Sequence, residues 1–403
     1  MTRYLKPDNP DECISCNICL TACPVAKATR KYRGPKMTGP ALSRIRMLIE
    51  DEDPMLQYCS NCKNCDRVCP SGTTISTFNM KARSLYYKNH SHSFAEKLLS
   101  NNEKVGRILT KIPFAPIISN LSLKVAKSTG ALKLAGLSCK APYPSYANKS
   151  FYDLFDKYKQ PIFKKKVLFY PGCYVNYNEP QVGIDLIKVY NKNNIQVIVD
   201  KRFVCCGSPM ISAGYLEKVE QNALHNIKIL LDYALQGIDI ITTCTTCGLI
   251  LKQEYLELFK IDSIKEYNVH MYDSIEYLKN LHEKGELDTS FKAVDSSYIY
   301  HTPCHLKVQG FGRPSLDILK LVPNLSVEDA DASCCGLSGI YGYKSNTEEI
   351  AREVGSELKN KIIESKAKMG VCECNICRLQ MQNGTGKSAE HPLSVLAKAY
   401  GLK

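Results

Sequence analysis

The sequence predicts a mainly helical N-terminal domain followed by two copies of an α/β domain, each built around a parallel sheet. Two observations on the 403-residue chain lead to this fold class. Eighteen of its 20 cysteines fall on two internal repeats, a short one near the N-terminus and a long one that occupies the second half of the chain. Within the long repeat, short β-rich runs alternate with helical patterns, which is typical of parallel α/β units.

The short repeat carries a metal-ligand pattern. Four cysteines recur with identical spacing 46 residues later, and each run reads C-x2-C-x2-C-x3-C followed by Pro24 or Pro70. This is the bacterial ferredoxin pattern for a cubane 4Fe–4S cluster, and in two-cluster proteins the fourth cysteine ligates the other cluster. We therefore expect two cubanes with exchanged fourth ligands. The first ferredoxin site consists of Cys13, Cys16, Cys19 and Cys69, and the second consists of Cys59, Cys62, Cys65 and Cys23.

Zinc and disulfides are the alternatives for these cysteines. Zinc takes four tetrahedral ligands and prefers paired C-x2-C arms, so it requires neither the third cysteine nor the x3-C-P end of each run. The first residues of the chain are polar and charged, so we expect no secretory signal. Many cysteines without export indicate a reducing compartment, where thiolates bind metal. The expected location is therefore the cytoplasm.

Residues 1–88 are expected to form a helical ferredoxin domain. The segment between the two cysteine runs contains a stretch, 41–51, in which Leu42, Ile45 and Ile49 recur at helical spacing. This favours the helical type of ferredoxin domain over the compact β type.

Residues 89–165 are expected to form a connector punctuated by Lys, Ser and Pro, with an amphipathic helix inside it. The apolar face of this helix consists of Ile117, Leu121, Val125 and Leu132. The basic residues elsewhere on its surface are Lys124, Lys127 and Lys133. Such a helix packs on this protein or a partner, or it lies on a membrane surface. The longest stretch of the connector without a charged residue, 112–123, has twelve residues, whereas a membrane-spanning helix needs about 20.

Two α/β domains are expected at 166–290 and 291–403. The predicted strands lie at 167–170, 196–200, 238–242, 298–300, 325–328 and, less clearly, 368–371. Each strand leads into a cysteine motif. Because open α/β sheets form their sites at the carboxyl ends of parallel strands, the cysteines of each repeat are expected to converge there.

Five cysteines recur about 130 residues later in this long repeat. The first CCG site consists of Cys173, Cys205, Cys206, Cys244 and Cys247, and the second consists of Cys304, Cys334, Cys335, Cys374 and Cys377. Five thiolates exceed the four that a tetrahedral zinc uses. Adjacent cysteines can straddle two irons of an extended cluster, and Gly207 and Gly336 are expected to let the backbone pass close to the metal. We expect an iron–sulfur cluster of unusual shape in each repeat; zinc or an incomplete site is the alternative.

Repeats of the form C, CCG, C-x2-C resemble the cysteine-rich domains in the B subunit of heterodisulfide reductase, which hold noncubane 4Fe–4S clusters with five Cys ligands in that family. Two ferredoxin motifs before two CCG domains resemble the iron–sulfur subunits of glycolate oxidase and lactate oxidation complexes and the D subunit of heterodisulfide reductase. The strongest resemblance, over essentially the whole chain, is to the C subunit of anaerobic glycerol-3-phosphate dehydrogenase. It is carried by FAPI at 114–117, GCYVNYNEPQVGIDLIKV at 172–189, YHTPCH at 300–305, CCGLSGIYGYK at 334–344 and EHPLSVLA at 390–397.

The resemblance implies a non-catalytic electron-transfer subunit. Its electrons would come from a flavoprotein subunit that oxidises sn-glycerol 3-phosphate and would reach membrane quinone, with the complex held at the inner face of the cytoplasmic membrane. The alternatives are a disulfide-reducing enzyme like the D subunit of heterodisulfide reductase and the iron–sulfur subunit of a glycolate or lactate oxidase. No flavin is expected in this chain, because Gly310 and Gly312 lack the third glycine of a dinucleotide fingerprint.

Several residues stay open at this stage. The net charge of +13 suits an anionic membrane or an acidic partner, and no nucleic-acid motif is present. The candidates for docking an acidic redox partner are Lys27, Arg30, Lys31 and Arg33. The alternative is that they form an ordinary solvated run of charges. His301 and His305 flank Cys304. They are either proton carriers or ordinary hydrogen-bonded histidines. Cys139 and Cys372 are expected to be buried free thiols, although Cys372 leaves open which thiol completes the second CCG site.

Overall fold

The fold is taken from a computed structural model that describes residues 9–46, 48 and 53–403. The N-terminal domain is helical in this part of the chain. Its helices are α1 (Ile18–Ala22), α2 (Pro24–Ala28), α3 (Leu42–Arg46), α4 (Asn64–Arg67) and α5 (Ile75–Asn89), with a π-helical turn at Met37–Ala41 and 3-10 turns at Pro10–Glu12 and Pro54–Tyr58. The helix expected at 41–51 is thus observed up to Arg46, and Ile49 lies outside the described residues.

The backbone reproduces the 46-residue repeat of the cysteines. Ser15 and Asn61 occupy corresponding positions and have φ of 57° and 52°, while Asn17 and Lys63 have φ of 64° and 59°. L-residues adopt this left-handed region rarely, and here it occurs twice in each C-x2-C-x2-C loop. Both loops therefore fold back on themselves in the same way.

The connector crosses the surface of both α/β domains. Its helices are α6 (Phe94–Leu99), α7 (Asn102–Leu109), α8 (Ala115–Ser128) and α9 (Phe151–Phe155), with a 3-10 turn at Ala131–Ala135. Gly106 of α7 lies so close to Tyr177 that an added Cβ would be 2.7 Å from its ring. On the other side, the Ser138 amide donates to the Tyr343 carbonyl at 2.8 Å.

One residue of the predicted amphipathic face is placed differently. Ile117, Leu121 and Val125 lie on the exposed side of α8, but the helix ends at Ser128 and Gly130 adopts a left-handed φ of 79°. Leu132 therefore falls in the following 3-10 turn, where it is buried with Ala95 and Leu137. The prediction that Leu132 continues this face was wrong, because the helical period stops at the turn.

Both α/β domains contain a four-stranded parallel sheet of the same order. The first sheet is β2-β1-β3-β4 and the second is β6-β5-β7-β8, with every neighbouring pair parallel. The strands are β1 (Lys165–Tyr170), β2 (Ile195–Val199), β3 (Asp239–Thr242), β4 (Met271–Asp273), β5 (Ser296–Tyr300), β6 (Leu325–Asp329), β7 (Met369–Val371) and β8 (Ala389–Glu390). The predicted fold class is confirmed, with one additional short edge strand in each domain.

Helices cover both faces of the sheets. In the first α/β domain they are α10 (Gly172–Tyr177), α11 (Pro180–Lys192), α12 (Ser208–Ala213), α13 (Leu216–Ala234), α14 (Thr245–Leu249), α15 (Tyr255–Phe259), α16 (Ile264–Asn268) and α17 (Ser274–Glu283), with a π-helical turn at Ile250–Glu254. In the second they are α18 (Cys304–Gln309), α19 (Pro314–Leu319), α20 (Glu348–Val354), α21 (Ser356–Glu364), α22 (Asn375–Gln382) and α23 (Pro392–Ala399), with a 3-10 turn at Tyr341–Tyr343.

The two α/β domains share a hydrophobic core. Leu186 and Tyr190 of α11 and Leu278 of α17 belong to the same buried cluster as Leu319 of α19 and Leu396 of α23. All five side chains are at most 1% exposed. This contact holds the two sheets in a fixed relative orientation, so the cysteine motifs at their carboxyl ends are held together as well.

Candidate iron–sulfur centres

The first ferredoxin site lies at the surface of the N-terminal domain. Cys16 is exposed, Cys13 and Cys69 are half-buried, and Cys19 is buried. Burial raises the pKa of the Cys19 thiol, and the neighbouring thiols of Cys13, Cys16 and Cys69 raise it further. The structure therefore brings Cys69, the last cysteine of the second run, to the first three cysteines of the first run.

The second ferredoxin site lies inside the molecule. Cys23, Cys59, Cys62 and Cys65 line a small cavity of about 20 Å³, and each is at most 9% exposed. Burial raises the pKa of Cys62 to about 12, with Cys304 of the second α/β domain as the next cause. Four thiols around one cavity fit the donor chemistry of an iron–sulfur cluster. Here too the fourth cysteine comes from the opposite run.

A buried lysine lies beside this second site. Lys63 is 1% exposed, and its ammonium lies 2.5 Å from Glu257, 3.3 Å from Asp66 and 3.5 Å from Glu254. Ser76 adds a contact at 3.1 Å. The burial of Lys63 was not predicted from the sequence, because a lysine between two cysteines of a loop is expected to be solvated. Its two glutamate partners belong to the first α/β domain, so the cluster joins that domain to the ferredoxin loop.

The five thiols of each CCG site form a chain of close neighbours. Sulfur–sulfur distances are 3.6 Å for Cys173 and Cys205 and 3.4 Å for Cys206 and Cys247 in the first site. In the second site Cys335 lies 3.3 Å from Cys377. Hydrogen bonds among the thiols lower the pKa of the second cysteine of each CCG motif: that of Cys206 falls to about 6, and that of Cys335 also falls to about 6. The same hydrogen bonds raise the pKa of the partner thiols Cys247 and Cys377 well above the ordinary value, so the close thiols of each site share their protons.

The ten cysteines of the two CCG sites line one common cavity of about 300 Å³ between the α/β domains. The first and second sites meet where the Cys244 thiol lies 3.8 Å from the Asn375 side-chain oxygen, next to Cys374. Residues of the connector close the cavity on another side. The side of this cavity that the connector forms contains no cysteine.

The glycines of the CCG motifs lie where an added side chain would clash with the protein. Gly207 and Gly336 have φ of 89° and 87°, and an added Cβ would lie 2.9 Å from Val219 and 2.1 Å from the Ala351 carbonyl oxygen. The close contact at these glycines is with the helix behind the loop. Their positive φ also directs each backbone N–H to the first sulfur of the motif, at 3.4 Å in both sites.

The second ferredoxin site adjoins the second CCG site. Cys62 is near enough to Cys304 and Cys334 for their charges to affect one another. Two hydrogen bonds fix this contact: the Ser338 hydroxyl donates to the Ser60 carbonyl at 2.6 Å, and His305 Nε2 lies 3.0 Å from the Asn61 carbonyl oxygen. Among the described residues, the thiol sites thus follow one another from the surface to the shared cavity.

The remaining candidates differ in how closely they approach the thiols that line the cavity. His305 lines it and also contacts Thr246 at 3.0 Å, so it bridges three parts of the chain. His301 is fully buried, neither ring nitrogen has a hydrogen-bond partner among the residues described, and burial lowers its pKa to about 3. Cys372 is fully buried behind the second CCG site as a hydrogen-bonding neighbour of Cys377. Cys139 is only half-buried, contrary to expectation, and packs beside Leu137.

The basic run after the first ferredoxin site is exposed. Lys27, Arg30, Lys31 and Arg33 are all on the surface. Over the part of the chain that the structure describes, no helix has the length and apolar character required to cross a membrane.

Comparison with known protein families identifies the same modules. A model described as a 4Fe-4S dicluster domain matches residues 9–73, and a model described as a cysteine-rich domain matches 167–252 and 298–382. The two predicted classes of iron–sulfur module are therefore confirmed at the level of the family.

Relatives resemble the chain over nearly its full length. The B subunit of fumarate reductase (CoM/CoB) from Methanothermobacter marburgensis is 28% identical over 98% of this chain and 73% of its own. The probable glycolate oxidase iron-sulfur subunit of Bacillus subtilis is 24% identical over 97% of this chain and 94% of its own. The C subunit of anaerobic glycerol-3-phosphate dehydrogenase from Escherichia coli K12 is 33% identical over 96% of this chain and 98% of its own. With its two ferredoxin motifs, its duplicated CCG domains and this end-to-end similarity, the chain belongs to the family of the anaerobic glycerol-3-phosphate dehydrogenase C subunit, whose members are iron–sulfur proteins.

Proposed function

We propose that this protein carries electrons from a flavoprotein subunit that oxidises sn-glycerol 3-phosphate to a membrane quinone. The observation that carries the proposal is the series of adjoining thiol sites, which begins at the exposed Cys16 and ends at the cavity shared by the two CCG sites. The name of the Escherichia coli relative supports the choice of substrate.

The proposed ligands are the 18 cysteines of the four sites, and Cys372 is a neighbour that ligates nothing. Iron–sulfur clusters bound there would supply one-electron redox chemistry. We assign two cubanes to the ferredoxin sites and noncubane clusters to the CCG sites. An anaerobic preparation should then contain about 16 iron atoms per chain, the content of four 4Fe–4S clusters. Iron for only two clusters together with two zinc ions would contradict the assignment of the CCG sites.

The order of the sites gives the proposed direction of transfer. The first ferredoxin site is the most exposed, the second adjoins it through the exchanged cysteines, and the second CCG site adjoins the second ferredoxin site at Cys62 and Cys304. The first CCG site comes last, where Cys244 approaches Asn375. Buried hydrogen bonds and the Lys63 ion cluster hold these contacts rigid, which keeps the separations between the sites short.

The flavoprotein is proposed to bind at the first ferredoxin site. Ile14 is 65% exposed and Ile18 44% exposed beside the exposed Cys16. The basic run at 27–33 lies just beyond them in the chain, so the surface combines apolar side chains with positive charge. This combination suits a partner with an acidic rim around an apolar patch.

The connector is proposed to hold the protein on the inner face of the cytoplasmic membrane. The outer side of α8 exposes Ile117, Ile118, Leu121 and Val125 by 52%, 63%, 61% and 53%. Solvated surfaces seldom carry so many apolar residues together. Exposed basic residues occur on the same helix and in the neighbouring segments of the connector, namely Lys104, Arg107, Lys111, Lys124 and Lys133. An exposed apolar face together with nearby positive charge in the same segment fits the interface of an anionic bilayer.

Reconstitution tests the proposed function. The chain mixed with its flavoprotein partners should couple oxidation of sn-glycerol 3-phosphate to reduction of a quinone analogue. Cys62→Ser or Cys335→Ser should abolish quinone reduction while reduction of an artificial dye at the flavin continues. Cys139→Ser is the matched control, because its thiol belongs to none of the four sites, and it should leave coupling intact. A complex specific for lactate or glycolate would correct the substrate and preserve the relay.

A disulfide-reducing enzyme is the second candidate. The observation in its favour is the common cavity, in which two CCG sites face one space as a substrate-binding centre would. One of the relatives reported above is named as the B subunit of fumarate reductase (CoM/CoB). Under our proposal the isolated protein reduces no heterodisulfide with a simple electron donor, and such a reduction would make this second candidate the better account.

A further inference from the structure

The cavity between the α/β domains has a wall without cysteines, built by the connector. Leu99 of α6, Val105 of α7 and Leu123 of α8 line this wall, together with Tyr143 and Tyr146 of the segment that follows α8. Apolar and aromatic side chains with a few polar groups are typical of sites for small organic molecules. The wall faces the same space as the thiols of both CCG sites.

One fully buried side-chain oxygen among the residues that line this cavity has no hydrogen-bond partner in the part of the chain that the structure describes. Tyr343 lines the cavity, is 4% exposed, and its hydroxyl makes no hydrogen bond there. A buried polar group left unpaired destabilises the protein, so such groups are usually satisfied by a ligand or water. The hydroxyl is a donor placed beside the second CCG site, since Tyr343 lies near Cys335 and Cys374.

The wall is fixed in place by its own hydrogen bonds. The side chain of Asn120 in α8 pairs with both backbone groups of Tyr146, each at 2.9 Å. The Tyr146 hydroxyl donates to the Asn102 side-chain oxygen at 2.9 Å, and the Asn102 amide lies 3.8 Å from the Cys173 sulfur. The polar side of the wall therefore ends at a thiol of the first CCG site.

The cavity reaches the protein surface at the connector. Leu98 lines it and is 41% exposed. Helix α8 contributes Ser119 and Leu123 to the cavity and presents Ile118 and Leu121 on its opposite side. A molecule dissolved in the bilayer interface would thus reach the cavity across the thickness of one helix.

We propose that this connector wall binds the ring of a quinone, with the Tyr343 hydroxyl donating a hydrogen bond to one carbonyl oxygen. The inference rests on the proposed function and names the place where its electron acceptor binds. A quinone suits the site because it is a flat apolar ring with two hydrogen-bond acceptors. Its reduction takes two electrons, which the glycerol phosphate oxidation supplies through this chain, and two protons from water at the opening, so that both carbonyl oxygens become hydroxyls.

Binding of 2-methyl-1,4-naphthoquinone to the oxidised, cluster-loaded full chain tests the proposal by equilibrium dialysis. Tyr343→Phe should weaken binding about fivefold through loss of one hydrogen bond. Leu123→Trp should weaken it about tenfold or more by filling the wall. Tyr341→Phe is the control for the first variant, since its hydroxyl is also buried and unpaired among the described residues but does not line the cavity. Leu235→Trp, at a 77% exposed site, is the control for the second.

The outcomes separate this site from the function on which it rests. Weaker binding for the two cavity variants, with unchanged cluster spectra and unchanged controls, supports the site. Unaltered binding in both cavity variants, in a chain that still couples to quinone, overturns the site and leaves the function standing. A Tyr343→Phe chain with altered cluster spectra but unaltered binding also overturns it, because the hydroxyl would then donate to a cluster sulfide. A wild-type complex that reduces no quinone defeats the proposed function itself.

Discussion

Replacing Lys63 by methionine should loosen the contact between the ferredoxin loop and the first α/β domain. The substitution keeps the length of the side chain but removes the ammonium that lies among Asp66, Glu254 and Glu257, whose side chains are at most 3% exposed. Burial opposes the charge of Lys63, but the three carboxylates more than compensate and raise its pKa above the ordinary range. Without the ammonium, three carboxylates would share a dry pocket.

The expected cost follows from the burial of all partners. Removing one member of a buried ion pair typically costs about 3–5 kcal/mol, because the remaining charge is left uncompensated. Since each 1.4 kcal/mol corresponds to about a factor of ten, opening of this contact should become about a hundredfold more frequent or more. Native-state hydrogen exchange measures such local opening directly, without requiring reversible unfolding of a protein that carries clusters. The Ser76 amide, which donates to Asp66 at 2.8 Å, is the natural reporter.

A double-mutant cycle provides the control. Adding Glu257→Gln to Lys63→Met removes one of the stranded carboxylates and should restore part of the protection. Amides of β5 in the second α/β domain should exchange at the wild-type rate in both variants. Exchange of the Ser76 amide within about threefold of wild type in Lys63→Met would refute the reasoning, because it would mean that the ion cluster does not hold this contact.

Three further predictions concern the cluster ligands, the pH dependence and the membrane. Cys69→Ser should damage the cluster held by the first cysteine run, and resonance spectra in which only the second cluster changes would contradict the exchanged ligands. Burial, with Glu373 as the next cause, raises the pKa of Asp273 to about 8. Between about pH 4 and 8 the Asp273 carboxyl is then protonated in the folded state and ionised in the unfolded state, so the free energy of unfolding falls as pH rises through this window. Asp273→Asn should therefore reduce the fall of the thermal midpoint with pH. The same pH dependence of the midpoint in the wild type and the variant would contradict this. The double variant Ile118→Glu/Leu121→Glu should bind anionic vesicles more weakly than the wild type, whereas the control Leu235→Glu should bind them as well as the wild type does. Equal binding of the wild type and both variants would mean that α8 packs against protein and does not bind the membrane.

Much of the fold could be predicted because its signals are local. The cysteine repeats and the alternation of strands and helices specify two kinds of domain, and the structure contains both. The edge strands β4 and β8 were missed because they have three and two residues, too few for any periodic pattern. Leu132 was misplaced because the helical period of α8 was extended past Gly130, where the backbone turns.

The candidate site was predictable in its parts but not in its assembly. The spacing of the cysteines was sufficient to group them into sites. The relative orientation of the two duplicated domains instead depends on their shared core, and no short sequence motif predicts this orientation. The common cavity, the contact of Cys62 with Cys304 and the unpaired hydroxyl of Tyr343 all arise from that orientation. Lys63 was missed for a related reason: its glutamate partners are about 190 residues away in the chain.

The most direct test of the proposed relay is to follow the iron–sulfur signals in the complete complex under anaerobic conditions. Addition of sn-glycerol 3-phosphate should reduce the clusters of this chain, and subsequent addition of a quinone analogue should reoxidise them. In the Cys62→Ser complex, the clusters of the CCG sites should stay oxidised after substrate is added. CCG clusters that are reduced as fast as in wild type despite this change, or clusters that neither substrate nor quinone affects, would contradict the account.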